Sequence, residues 1–400
     1  MSIRRFTFYE LSLNSDKIRE MIKYLNGARP KALARTALLR LDFNTKDDWR
    51  MRAVLPTIKF LLKTGGKIVI VSHRGRPNGV TFLNGVPQGF KKDLSLKGDT
   101  LKLSKLLGGK KVTFIDHFRF AEIKARVTAA PSGSIFLLDN LRFLPGEEKN
   151  DPKLAKQLAS LADFYVNDAF AVSHRANASV VAVTKFLPSY AGIEMENEIK
   201  SLSKAIVRPK HPVVLVLGGA KASDKLGVIA YFKNKADWFL LGGGSANTIL
   251  WLKGMDVKQS VKDSDRKELL LLKKVAGYKS VVLPVDFMWG GASGAPKSAI
   301  LDVGPKTVRM FDKKIAAART IIWSGPLGMI EKNAYAKASI AVARAIVKNR
   351  RAFSVSGGGE TVSFLKQHGL DKKFSFISTG GGAMVDFLAG KKLPGIEALK

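Results

Sequence analysis

The chain has 400 residues, 46% of them hydrophobic, no cysteine and a formal net charge of +34. That length exceeds one comfortable core and predicts two domains, and the lack of cysteine excludes disulfides and thiolate metal sites. The N-terminal stretch MSIRRFTFYELSLN has no signal-peptide core, and no apolar run approaches the roughly 18 residues of a membrane span, so a cytoplasmic globular protein is expected.

The charge is spread over the whole chain. Residues 1–200 carry 34 Lys and Arg against 19 Asp and Glu, and residues 201–400 carry 33 against 14, so there is no basic tail. Such an excess suits nucleic-acid or membrane-surface affinity, or reflects a lysine-rich proteome or adaptation to salt. No aromatic-interleaved basic run or groove-binding motif accompanies it, so neither nucleic acid nor membrane is expected as a partner. In either case the field draws polyanionic metabolites inward.

In chain order, Tyr9–Lys31 reads as an amphipathic helix capped near Asn14–Ser15. Short apolar runs ending in polar or glycine clusters then alternate with helix-length segments. The first five are Ala37–Phe43, Lys67–His73, Val112–Asp116, Ser134–Asn140 and Phe164–Asp168; Thr81–Lys97 between them reads as a surface loop. After Val213–Gly219 come Trp238–Gly244, Ser280–Asp286, Thr320–Gly325, Ala352–Gly359 and Phe374–Gly382. Strands alternating with helices predict parallel sheets and the α/β class, and about ten such units are too many for one sheet of ordinary size. Glu194–Ile206, with Met195, Ile199, Leu202 and Ile206 at helical spacing, is stopped by Pro209 and Pro212. It reads as a hinge helix joining two lobes, or as an ordinary crossover helix.

The halves collect different residues at their strand ends, where ligands bind in open α/β sheets. In the first half these are Asp42 and Asn44, Arg50, His73 and Arg76, Arg142, and Arg175 beside His174. Forked guanidiniums with an imidazole suit a ligand carrying both carboxylate and phosphate. The second half collects glycines: VVLVLGGAKASDK (213–225), GGGSAN (242–247), GPLG (325–328), GGGET (357–361) and TGGGA (379–383). Glycine turns opening into helices, with Lys221 and Lys225, suit a nucleotide's phosphates, although neither a GxxxxGK[ST] loop nor a convincing GxGxxG is present. Of Glu331 and Glu360, one can hold Mg²⁺ and the other ribose hydroxyls; either can instead simply stabilise a helix N-terminus.

At this point a resemblance covers nearly the whole chain. LDFN, LPTIKFLLKTGGKIVIVSHRGRP, LLDNLRFLPGEEKNDP, YVNDAF…HRANAS, LGGAKASDKLGVI, LLGGGSANT, DVGPKT, WSGPLG, SGGGET and ISTGGGA resemble the phosphoglycerate kinase family, in that family's order. The resemblance implies an enzyme, a phosphotransferase with a carboxyl acceptor. It would move a phosphoryl group reversibly between 1,3-bisphosphoglycerate and ADP, giving 3-phosphoglycerate and ATP with Mg²⁺. It also implies two Rossmann-like lobes with parallel sheets flanked by helices and a hinge helix between them. The expected parts are residues 1–190 for the acid substrate, 191–208 for the hinge, 209–385 for the nucleotide, and a tail, 386–400, packing back on the first lobe. The family is usually monomeric.

Carried over by motif, the acid site comprises Asp42, Asn44, Arg50, His73, Arg76, Arg142 and Arg175. The nucleotide site comprises Gly218, Gly219, Lys221, Lys225, Gly242, Gly243, Pro326, Gly328, Glu331, Gly358, Gly359, Glu360 and Thr361, with Glu360 on the metal. Arg50, Lys221, Gly380 and Gly381 fall to catalysis, with Lys221 serving the transferred phosphoryl group and Lys225 the nucleotide phosphates. Four departures stand out. The loop after LDFN is short, GGGE replaces GGGD, WSGPLG replaces WNGPMG, and an extra segment around Asp16–Lys31 accompanies an abbreviated Asp286–Lys306. Together with the charge they raise an alternative: a divergent paralogue of low activity with a binding role, for example to nucleic acid.

Overall fold

The protein is described here from a computed structural model covering residues 21–29, 33–45, 47–291 and 298–400. The first sheet is built from β1 (Thr36–Arg40), β2 (Lys67–Val71), β5 (Val112–Ile115), β6 (Ile135–Leu138), β7 (Phe164–Asn167) and β8 (Ser189–Ala191). Between β2 and β5 lies a hairpin of β3 (Thr81–Leu83) and β4 (Val86–Gln88). The first sheet is wholly parallel, in the order β5-β6-β2-β1-β7-β8. The second sheet contains β9 (Val213–Leu217), β10 (Trp238–Leu241) and β11 (Val281–Val282). After a hairpin of β12 (Phe287–Gly290) and β13 (Ala299–Val303), it is completed by β14 (Thr320–Ser324), β15 (Phe353–Gly357) and β16 (Phe376–Ile377). Its order, β11-β10-β9-β14-β15-β16, is again all parallel. The order reverses between β9 and β14, which makes a crevice beyond their carboxyl ends.

Strands covered by helices on both faces read as unbroken apolar runs. All five side chains of Val213–Leu217 are fully buried, each worth about 1.5–3 kcal/mol over its exposed state. The helices show the matching one-sided pattern. Pro152–Ala159 starts with proline at its first position and the Asp151 side chain capping the Lys153 amide at 2.8 Å, and it buries Leu154, Ala155, Leu158 and Ala159.

All eleven apolar runs contain a strand of one of these two sheets, but several other expectations change. Thr81–Lys97 is not simply a loop. Asn84 and Gly85, both at positive φ, close a two-residue hairpin turn, for which Asn-Gly is the favoured pair. Strand β8 went unread because Ser189–Ala191 is too short and mixed to stand out. Most of the expected Tyr9–Lys31 helix lies outside the described residues. Its described part begins with Met21 in helical conformation, followed by a bridge from Tyr24 to Ala191 and a 3₁₀ turn at Leu25–Gly27. The Asp286–Lys306 stretch, partly outside the described residues, contains β12 and β13.

The helix Ile193–Ile206 passes between the sheets and is anchored to both. Its Ile193 amide donates to Thr57 Oγ1 at 3.0 Å and its Met195 amide to Asp168 Oδ1 at 2.8 Å, both partners in the first lobe. One turn on, the Glu198 carboxylate accepts from Ser378 Oγ at 2.8 Å and Thr379 Oγ1 at 2.7 Å, and from the Thr379 amide, all in the second lobe. Phe170 and Phe387 meet edge-on across the same boundary, with centroids 6.0 Å apart. Beyond the last strand the chain returns to the first lobe. The Gly395 amide donates to Ser173 O at 2.8 Å, and Leu393, Ile396 and Leu399 are buried.

Asp168 is 2% exposed, and its Oδ2 is buried with no hydrogen-bond partner. Burial pushes its pKa up to about 7. A carboxyl raised in this way stabilises the fold fully below its unfolded pKa and loses that contribution as pH rises toward the folded value. In urea titrations, the unfolding free energy of Asp168→Asn relative to the unaltered protein should therefore improve by about 2 kcal/mol between about pH 5 and pH 7. A difference that does not vary with pH would show that the carboxyl ionises normally.

Candidate active site

The first-lobe half of the site grows from one buried cation. Arg40, the last residue of β1, is fully buried, so its charge must be matched from within. Its Nε donates to Ser179 Oγ at 2.8 Å, and the Glu147 carboxylate lies 3.8 Å from Nη2. Glu147 is itself buried and accepts from the Ser179 amide at 3.0 Å and Ser179 Oγ at 2.6 Å. Arg40 Nη2 also reaches His73 Nδ1 at 3.2 Å. Because guanidinium only donates, Nδ1 accepts and the imidazole proton sits on Nε2. Burial, with Arg40, Arg142 and Arg175 nearby and despite Asp42, holds His73 well below its ordinary pKa, so it is a neutral donor at pH 7.

Asp42 follows β1 and organises the next layer. One carboxylate oxygen accepts the Asn44 amide at 2.7 Å and the other accepts Arg50 Nη1 at 2.9 Å. Burial alone would raise this carboxyl, but His73, Arg50, Arg40 and the Asn44 amide more than offset that and hold it below its usual value. Asn44 Oδ1 receives the Gly75 amide at 2.8 Å. The short loop after Asn44 is held by Arg74, which donates to Phe43 O and Thr45 O and pairs with Asp99 at 2.7 Å. Arg142 donates to Gly75 O at 2.6 Å and has Glu148 3.3 Å from Nε. Its Nη2, and the Nε of Arg50, are buried with no hydrogen-bond partner. Buried donors without acceptors are costly, and these guanidinium N–H groups are therefore suited to meet an anion. Arg175 donates from Nε to His174 Nε2 at 3.2 Å, whereas Arg76 is exposed and makes no hydrogen bond or ion pair with the described residues.

The second-lobe half is a cavity of about 770 Å³ at the β9/β14 crevice. Gly218, Gly219, Lys221, Lys225, Gly358, Gly359, Glu360, Thr361 and Gly381 line it, as do Asp224, Ser324 and Gly382. The helices Gly359–Gln367 and Gly381–Leu388 start at its wall, so their positive ends face it. The helix Ser223–Phe232 also starts there, but Asp263 already accepts its Ala222 and Ser223 amides at 2.8 and 3.2 Å. Lys221 is exposed. Lys225 is buried and donates to Ser324 Oγ at 3.1 Å; burial lowers its pKa while Asp224 and Glu360 work the other way.

A second, narrower recess of about 220 Å³ adjoins it, lined by Gly243, Pro326, Gly328 and Glu331 and shared at Glu360. Its floor is apolar, with Val261, Phe287, Leu301 and Met329, as suits a flat heterocycle.

The glycines divide by role. A Cβ on Gly218 would lie 2.0 Å from Pro326 O, one on Gly325 2.3 Å from Gly218 O, and one on Gly243 2.6 Å from Gly219 O. These residues, with Gly242 against Leu327, are glycine because the loops press on one another. Gly219, Gly358, Gly359 and Gly381 have free space and open toward the cavity. Thr361 belongs with the first set, since its Oγ1 accepts the Gly325 amide at 3.0 Å. Gly380 is buried, with its amide on Ser378 Oγ at 3.1 Å and no room for a Cβ beside Phe170; the wall is formed by Gly381 and Gly382 instead.

The two halves adjoin where a Cβ on Gly382 would lie 3.5 Å from His174 Nε2. Sequence reading passed over Arg40, yet an arginine inside an apolar strand run already signals a paired buried charge. It also missed the apolar recess, whose residues look like ordinary core. Among the described residues no helix is long and apolar enough to cross a membrane.

Comparison with known proteins agrees with this geometry. The family model for phosphoglycerate kinase matches residues 31–391. The phosphoglycerate kinase of Dictyoglomus turgidum is 40% identical over 387 residues, 91% of this chain and 95% of that protein. That of Thermosipho africanus is 41% identical over 389 residues, 90% of this chain and 94% of its own. Among solved structures, the phosphoglycerate kinase of Pyrococcus horikoshii superposes with a TM-score of 0.80 at 31% identity, covering 94% of this chain and 98% of that one. The Coxiella burnetii enzyme does so with a TM-score of 0.78 at 32% identity, with the same coverage. With basic cleft, glycine-walled cavity and whole-length likeness in agreement, the chain belongs to the phosphoglycerate kinase family, and its function is that family's reversible phosphoryl transfer between 1,3-bisphosphoglycerate and ADP.

Proposed function

We propose that the basic cleft of the first lobe, residues 1–190, holds the phosphoglycerate and the glycine-walled cavity of the second, residues 209–385, holds ADP or ATP. The observation that carries this reading is that Arg50 and Arg142 keep buried N–H donors with no partner in one lobe, while the other lobe holds a cavity walled by two helix N-termini. Asp42 is the pivot of the acid site: it aims Arg50, while Arg40 presents His73 as a neutral donor. Asn44, Arg76, Arg142 and Arg175 complete the cationic and polar wall. Lys221, Lys225 and the open amides of Gly219, Gly358, Gly359 and Gly381 take the nucleotide phosphates, with Gly218, Gly242, Gly243, Pro326, Gly328 and Thr361 shaping the loops. The apolar recess takes the base, and Glu331 stands at its rim for the ribose. One polypeptide supplies every part, so the monomer is the working unit. The enzyme reading accounts for the whole site, which a role in nucleic-acid binding does not.

Chemically, a substrate carboxylate oxygen displaces ADP from the terminal phosphorus of ATP, forming the acyl phosphate; the reverse reaction returns the group to ADP. A loose phosphoryl-transfer transition state needs alignment and positive charge on the equatorial oxygens rather than covalent help. Lys221 and the Gly381 amide supply that charge from one lobe and Arg50 from the other, so bending at residues 191–208 completes the site and excludes water. Gly380 holds Gly381 in place through its bond to Ser378. Magnesium is usually held by one or two carboxylates together with substrate phosphates, and Glu360, exposed in the first turn of its helix and bordering both cavities, fits that donor set, with Asp224 on the same wall. When bound, the ion would neutralise phosphate charge. Its ordinary setting, with these substrates, is the cytoplasm.

The test is a coupled assay with 3-phosphoglycerate, ATP and Mg²⁺, read as NADH oxidation; activity no greater than that of Lys221→Ala would overturn the reading. Arg50→Ala should lower kcat by about 100-fold or more with KM changed little, because its contact to the moving group forms in the transition state; a loss confined to KM would remove it from catalysis. Glu360→Asp should retain turnover but shift the Mg²⁺ dependence of ADP binding in calorimetry by about threefold to tenfold. An unchanged Mg²⁺ titration would take Glu360 off the metal.

A further inference from the structure

Trp49 opens the helix Trp49–Ala53 and is only 9% exposed, although it lies at the edge of the first lobe beside the cleft. Two cations lie against its ring. One is the guanidinium of its neighbour Arg50, 5.4 Å from the centroid. The other comes from the second lobe: Lys366 Nζ is 4.8 Å from the same centroid. Lys366 stands in the last turn of Gly359–Gln367, whose first residues line the nucleotide cavity. That helix is nine residues long, hence about 13 Å from end to end. One rigid rod therefore touches the nucleotide cavity with its N-terminus and the neighbour of Arg50 with its C-terminal turn. Lys366 also lies within electrostatic reach of Asp47 and Asp48; burial draws its pKa down while Asp371 and those two carboxylates oppose the shift.

We propose that Trp49 is a positioning residue for phosphoryl transfer: Lys366 docks on its ring across the lobe boundary, and the ring fixes the approach of Arg50. The inference rests on the reading of Arg50 as the first lobe's contribution to the transition state. Among the described residues Arg50 has one hydrogen-bonding anchor, Asp42, and its Nε has none; the indole face is its second support. Nucleotide held at the start of the Gly359–Gln367 helix thereby helps set an arginine on the opposite lobe through an aromatic ring and one ammonium.

The test compares Trp49→Leu, Trp49→Phe, Lys366→Met and Arg50→Ala in the coupled assay. Trp49→Leu and Lys366→Met should each lower kcat about fivefold to tenfold, the scale of one partly desolvated cation–π contact, with both KM values within about twofold. Trp49→Phe should restore most of the rate, and Trp49→Leu combined with Lys366→Met should be no slower than Trp49→Leu alone, since both changes remove one interaction. Lys366→Met keeps the stem of a half-buried side chain and tests the idea even if Trp49→Leu does not fold. An unchanged kcat in Lys366→Met, or equal losses in Trp49→Phe and Trp49→Leu, would overturn the inference while leaving Arg50 in place. An unchanged kcat in Arg50→Ala would remove its premise.

Discussion

The arrangement depends on one buried carboxylate. Glu198 projects from the helix Ile193–Ile206 into the second lobe and accepts three hydrogen bonds from Ser378 and Thr379. Five residues earlier the same helix receives its first support from Thr57, and at Met195 from Asp168, both in the first lobe. The helix thus ties the first lobe directly to the turn carrying Gly380 and Gly381. Burial pushes Glu198 up to about 7, so it is held in a setting that disfavours its charge, and the donors around it work against that. Such a group keeps its place only while those donors stay put, which couples the helix Ile193–Ile206 to the 378–381 turn.

On either side of this link the charges are arranged for opposite tasks. In the first lobe the cations are anchored one by one: Glu147 balances Arg40, which orients the neutral His73, and Asp42 orients Arg50. Each anchored charge leaves the next one free to meet a ligand. In the second lobe the positive potential comes largely from backbone, through two helix N-termini and open glycine amides, with Lys221 and the Asp386-paired Lys391 as exposed point charges on the wall. A preorganised backbone needs no rearrangement as charge moves during transfer.

Much of this could be read from residue order. Val213–Leu217 could be recognised as a two-sided buried strand because nothing polar interrupts it, and the arginines at strand ends could be grouped because parallel strands bring their carboxyl ends together. Other features depend on tertiary distances that leave no local trace. Val261, Phe287 and Leu301 form a recess only because the β12–β13 hairpin packs against the helices Gly243–Leu252 and Lys337–Lys348, and as apolar residues they match any core position. Gly380 and Gly381 are identical in sequence, yet Phe170 from the other lobe closes the space beside the first and leaves the second open. Glu360 and Thr361 are adjacent and both line the cavity, but Glu360 is exposed there while the Thr361 hydroxyl ties two loops together.

The contact among the glycine loops has a consequence for how this site can vary. Gly218, Gly243 and Gly325 lack side chains because backbone of a neighbouring loop occupies the space where one would begin. A side chain at any of the three therefore displaces a second loop along with its own. The inner wall can change only by coordinated moves, and it recognises shape and charge without a chemical signature of its own. On the proposed reading, discrimination between one nucleobase and another is left to the outer recess lined by Val261, Phe287, Leu301 and Met329. Selection on base preference should thus leave its record in these apolar positions, while the glycine triad stays silent.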